Sequence, residues 1–99
     1  MKSITIAELE GSAKPLIDVR EPDEFAAGHV PGAVNLPMSS LGDRLEELPA
    51  EAFNVICQAG GRSARVVEAL EARGHDATNV EGGTGEWRET GRPIEVPSA

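Results

Sequence analysis

Short apolar runs alternate with amphipathic segments along this whole chain, and that alternation limits its folds more than any other feature. Pro15-Leu16-Ile17-Asp18-Val19 is one such run, Phe53-Asn54-Val55-Ile56 a second and Ala77-Thr78-Asn79-Val80 a third. Near-continuous apolar runs of this length mark strands covered on both faces, as at the centre of a parallel sheet. Ile4 adds a short opening strand, and Ala33-Val34-Asn35-Leu36 another that Pro37 ends. The stretches between them read as helices. Thr5-Ile6-Ala7-Glu8 fits a capping box, so a brief helix with Leu9 inward runs to Gly11. Glu21-Pro22-Asp23-Glu24-Phe25 starts a second, with Pro22 in its first turn and acids near the positive dipole end.

Ser39 or Ser40 is expected to cap a third helix whose Leu41, Leu45 and Leu48 share one face, ended by Pro49. Arg62 to Arg73 carries helical periodicity through Val66, Val67 and Leu70, with Gly74 as its stop. Gly82-Gly83-Thr84-Gly85-Glu86-Trp87 turns into a last short helix, and Gly91-Arg92-Pro93-Ile94 leads into the tail. Strands alternating with helices imply an α/β fold, a small open, mostly parallel sheet flanked by helices on both faces. The 99 residues are read as one domain, 1–99, because either half would be too small to bury a core.

In such sheets ligands bind at the carboxyl ends of strands, where Cys57 falls. It is the chain's only cysteine, and Gln58-Ala59-Gly60-Gly61-Arg62-Ser63 follows it directly. Gly60-Gly61 lets the backbone curl so that several N–H groups point inward. A thiol beside such a ring and a helix N-terminus has a depressed pKa and stands ready as thiolate. A lone cysteine is most often a small buried hydrophobe at a strand end; the loop behind Cys57 shifts the weight to a nucleophile for an anionic substrate. Arg62 either adds positive charge to that site or braces the loop. Asp18 and Arg20 read as structural support, an ion pair tying the strand end to neighbouring loops. His29 is expected to bond a loop carbonyl or stay solvated, Trp87 to anchor the core through a paired indole N–H, and Arg65 to be a solvated helix charge.

Composition narrows the partners. Nine basic against seventeen acidic residues give a net charge of −8, which repels nucleic acid and anionic membrane. One cysteine makes neither an internal disulfide nor a C-x-x-C redox pair, and with two distant histidines it makes no zinc site, so no metal or cofactor is expected. Gly83-Thr84-Gly85 lacks the third glycine of a dinucleotide fingerprint, since Arg88 stands there. The N-terminus has no apolar signal core and no run reaches spanning length, so the expected location is the cytoplasm.

Four stretches in this order resemble the rhodanese (sulfurtransferase) homology domain over nearly the whole chain. They are Leu16-Ile17-Asp18-Val19-Arg20-Glu21-Pro22-Asp23-Glu24-Phe25, Gly28-His29-Val30-Pro31-Gly32-Ala33-Val34-Asn35-Leu36-Pro37, Cys57-Gln58-Ala59-Gly60-Gly61-Arg62-Ser63 and Gly82-Gly83-Thr84-Gly85-Glu86-Trp87. The resemblance implies the rhodanese α/β fold and a Cys57 persulfide that carries sulfur from a small anionic donor, by default thiosulfate, to a thiol or cyanide. It leaves a second role open, a relay or interaction module that takes persulfide from a partner protein. The same fold supports phosphatase and arsenate reductase chemistry, but on a C-x₅-R loop. Here four residues separate Cys57 from Arg62, a tighter ring that suits sulfur.

Overall fold

The computed structural model describes residues 1–97; the last two positions of the domain expected over 1–99 lie outside the described residues. Five strands, β1 (Lys2–Ile4), β2 (Leu16–Asp18), β3 (Val34–Asn35), β4 (Phe53–Ile56) and β5 (Ala77–Val80), form one sheet in the order β1-β5-β4-β2-β3. Every pairing is parallel, so the sheet expected to be mostly parallel is wholly so. The helices α1 (Ile6–Glu10), α2 (Pro22–Ala26), α3 (Met38–Leu41) and α4 (Gly61–Ala72), with a 3₁₀ turn at Leu45–Glu47, connect the strands, and α5 (Gly83–Glu89) follows the last of them.

Side chains of a strand alternate between faces, and the core divides accordingly. Ile17, Val19, Phe53, Val55, Cys57 and Ala77 pack with Leu41, Val66, Val67 and Leu70 on the side of α3 and α4. Leu16, Ile56 and Val80 pack with Ile6, Leu9 and Trp87 on the side of α1 and α5. β4 is buried along its whole length because it lies between β5 and β2 and is covered on both faces.

Local chemistry starts the helices much as the sequence suggests. Thr5 caps α1, accepting from the Glu8 N–H at 3.2 Å while the Glu8 carboxylate accepts from the Thr5 N–H at 2.9 Å. At α2 the Glu21 N–H donates to the Glu24 carboxylate at 3.1 Å, with Pro22 in the first turn. The third helix departs from expectation. It starts after Pro37 rather than at Ser39 or Ser40, stops at Leu41, and the chain resumes only as the 3₁₀ turn. Gly42 and Asp43 are poor helix formers, and the Ser39 hydroxyl instead donates to the Glu21 carboxylate at 2.7 Å. Leu41, Leu45 and Leu48 still reach the α4-side core, so burial is satisfied without a continuous helix.

Candidate active site

β4 delivers Cys57 to the carboxyl edge of the sheet, two residues beyond Val55 and on the same face. There the backbone turns sharply. Gly60 takes φ +105°, a left-handed conformation that a residue with a Cβ adopts only under strain, and it becomes the N-cap of α4. Of the two loop glycines only Gly60 uses this freedom; Gly61 is the first ordinary helical residue.

The turn folds the loop back over the sulfur. The Gly60 N–H donates to Cys57 Sγ at 3.0 Å, and the Ser63 hydroxyl lies 3.3 Å from the same atom. Cys57 is only 1% exposed, whereas Gln58, Ala59 and Gly61 around it are exposed. Burial by itself pushes the thiol pKa up. The Ser63 hydroxyl and the backbone N–H groups of Ser63, Gly60 and Ala59 outweigh that push, leaving the thiol below its ordinary value. The structure thus makes Cys57 both the buried strand-end residue and a sulfur held among donors suited to an anion.

The flanking residues hold this geometry in place. Arg20, 3% exposed, forms a forked pair with fully buried Asp18, its Nη2 2.9 Å from Asp18 Oδ2. The same guanidinium donates to the Gly28 carbonyl at 2.9 Å and to Gln58 Oε1 at 3.3 Å, linking the end of β2 to the Cys57 loop. Asn35 closes that corner by donating to the Asp18 and Arg20 carbonyls at 3.0 and 2.9 Å. Arg62 donates both terminal nitrogens to Glu24 of α2, at 2.7 and 2.9 Å. Its hydrogen bonds hold the Glu24 carboxyl down at about 2. Of the two roles open to Arg62, the geometry shows the brace.

His29 is buried, stacked on Phe25 with ring centroids 3.7 Å apart, and its Nδ1 lies 3.0 Å from the Phe25 carbonyl. Trp87 sits in the core and donates its indole N–H to the Pro93 carbonyl at 2.6 Å. Among the described residues no group of three or more histidine, cysteine or carboxylate side chains is arranged to hold a metal, and no helix is long and apolar enough to cross a membrane.

Two contributions escape a local reading of the sequence. The N–H groups of Thr84 and Gly85 in α5 donate to the carbonyls of Cys57 and Gln58, each at 2.9 Å. Gly83, at φ +61°, lies so close that a Cβ there would stand 2.5 Å from both carbonyl oxygens. The glycine density of Gly82-Gly83-Thr84-Gly85 was the available signal. The second is Asn79, buried near the end of β5, with Oδ1 2.5 Å from the Ser63 hydroxyl. A polar residue inside an otherwise buried strand was its only trace.

A doubly braced cysteine loop at the carboxyl edge of a five-stranded parallel sheet defines a class of domain, and comparison with known proteins identifies it. The Rhodanese-like domain model matches residues 5–90, and the chain belongs to that family. A crystal structure of a rhodanese-related protein from Thermoplasma volcanium superposes with a TM-score of 0.93 at 36% identity, covering 98% of this chain and 100% of that one. Thiosulfate sulfurtransferase 16, chloroplastic, of Arabidopsis thaliana is 34% identical over 109 residues, 95% of this chain and 91% of that protein. The HTH-type transcriptional regulator Rv0324 of Mycobacterium tuberculosis is 37% identical over 100 residues, 94% of this chain, which spans only 44% of the regulator.

Proposed function

We propose that this chain is a sulfurtransferase working through a persulfide on Cys57, with thiosulfate as donor and cyanide or a thiol as acceptor. The observation that carries the reading is the sulfur itself, buried yet ringed by the Gly60 N–H, the Ser63 hydroxyl and the open backbone of the first turn of α4. The Cys57 thiolate attacks the outer sulfur of thiosulfate, the donor's S–S bond breaks, and sulfite leaves with the bonding pair. The enzyme then holds Cys–S–S⁻. Cyanide attacks the terminal sulfur, thiocyanate departs, and the thiolate returns. Charge balances in both steps, and one cysteine suffices because the sulfur stays on it.

The transferred sulfur stands about 2.05 Å beyond Sγ, at the exposed rim of the loop, where N–H groups stabilise its negative charge. On this reading Gln58, Ala59, Gly60, Gly61, Arg62 and Ser63 form the substrate loop, and Asp18 and Arg20 support it. Net charge and the lone reduced thiol favour a cytoplasmic setting without nucleic-acid or membrane partners.

One observation favours a second donor class. Gln58 and Ala59 are neutral and Arg62 is occupied by Glu24, which leaves little free positive charge for a dianion. A persulfide supplied by a partner protein needs less. Intact mass of the wild type and Cys57→Ser after thiosulfate treatment, with sulfite release followed in parallel, tests the proposal. The expected result is one added sulfur on the wild type alone, removed by cyanide. No addition to folded wild type would move the donor to a protein persulfide, and comparable transfer by Cys57→Ser would overturn the mechanism.

A further inference from the structure

We propose that Asn79 is a positioning residue that decides whether the Ser63 hydroxyl donates its single proton to Cys57. Ser63 is fully buried, and its hydroxyl lies 3.3 Å from Cys57 Sγ, 3.2 Å from the Gly60 carbonyl and 2.5 Å from Asn79 Oδ1. Three acceptors compete for one hydrogen. With the Asn79 carbonyl facing Ser63, the shortest of these contacts competes with the sulfur for the proton and weakens the donation to Cys57. An amide, however, carries an acceptor and a donor on one planar carbon. Half a turn about Cβ–Cγ presents Nδ2 to the Ser63 oxygen. Asn79 then donates, the Ser63 proton is released, and it points at the sulfur.

The fold supports such a two-position element. Asn79 lies two residues beyond Ala77 on the α4-facing side of β5 and is paired in register with Val55, so its amide meets the first turn of α4 beneath the Cys57 loop. Its only side-chain hydrogen bond among the described residues is the one to Ser63, so turning the amide breaks no other. The neutral-thiol state tolerates a carbonyl facing Ser63, and an anionic sulfur, thiolate or persulfide, draws the donor orientation. The charged groups around the loop are already paired: Arg62 with Glu24, Arg20 with Asp18. Ser63 and Asn79 are therefore the neutral device left to respond to the charge on sulfur.

The consequence for turnover rests on the proposed role of Cys57, but the consequence for thiol ionisation does not. The test is accordingly the pH dependence of iodoacetamide alkylation of Cys57 in folded protein, with no sulfur donor present. Ser63→Ala is expected to raise the alkylation midpoint by about one pH unit, the loss of one hydrogen bond to the anion. Asn79→Ala should raise it by less, and Ser63→Ala with Asn79→Ala no further than Ser63→Ala alone. Asn79→Asp, which only accepts and brings charge, should raise it most. Equal midpoints in wild type and Asn79→Ala, or full additivity in the double variant, would overturn the proposal. If Asn79→Asp does not fold, the alanine cycle alone decides. Unchanged midpoints together with intact sulfur transfer would sink this inference and leave the proposed function standing.

Discussion

Two strand-to-helix turns in this molecule begin with the same pair of residues and end in opposite roles. After β4 the chain reads Gly60-Gly61, and after β5 it reads Gly82-Gly83; in each, the first glycine is a left-handed N-cap. Around Gly60, the N–H groups of Ala59, Gly60 and Ser63 stay with the loop and face the Cys57 sulfur. Following Gly82, the N–H groups of Thr84 and Gly85 are consumed by the carbonyls of Cys57 and Gln58. The first turn is a cradle and the second is the clamp that holds it open. A glycine pair at a strand end therefore does not define a site; the partners that take up its N–H groups do.

Breaking the clamp should cost more than breaking the cradle. Gly83→Val places a Cβ against two carbonyl oxygens at 2.5 Å and also opposes the φ of +61°. We expect a loss of about 2–4 kcal/mol in denaturant unfolding, and a fall of about 10²-fold or more in sulfite release as the loop shifts.

The two cradle glycines should then separate. A Cβ at Gly60 meets no atom nearer than 3.5 Å, so the cost of Gly60→Ala is backbone strain, about 1–3 kcal/mol, with activity lost as the ring opens. Gly61→Ala has open space and ordinary helical φ, and should keep activity while gaining up to about 1 kcal/mol. Comparable destabilisation by both would show that the left-handed turn is not what shapes the cradle.

The smallest effect concerns the brace on the cradle. The Glu24 carboxyl is held at about 2 rather than at 4.5 by Arg62. A depressed pKa contributes stability that is present above the unfolded value and lost as pH falls from about 4.5 through about 2. Both side chains are about a third exposed, so the pair should be worth only about 0.2–1 kcal/mol. Thermal melts of wild type and Glu24→Gln should differ slightly at pH 7 and converge on acidification across that window. A gap that widens below pH 4 would contradict the brace.

The sequence was most informative where structure is set by neighbours in the chain. Phe53–Ile56 and Ala77–Val80 are strands at the expected bounds, and Thr5 with Glu8 forms the expected capping box. Cys57 with its glycine turn was legible for the same reason: strand, turn and helix start lie within ten residues. The Leu41–Leu48 segment was misread because leucine spacing records which side must be buried, and a broken helix buries those leucines as well as a continuous one.

What the sequence alone determined, then, was the alternation of strands and helices and the glycine turn that follows Cys57, all governed by backbone preference and local periodicity. Tertiary structure decided what holds the loop in place around the sulfur. Arg62 turns to Glu24, 38 residues away, Asn79 reaches Ser63 across 16, and α5 clamps the carbonyls behind Cys57. The physical reason is the parallel sheet. Its crossover connections bring distant strand ends to one edge, and the hydrogen-bond partners met there follow from register, which no local pattern encodes.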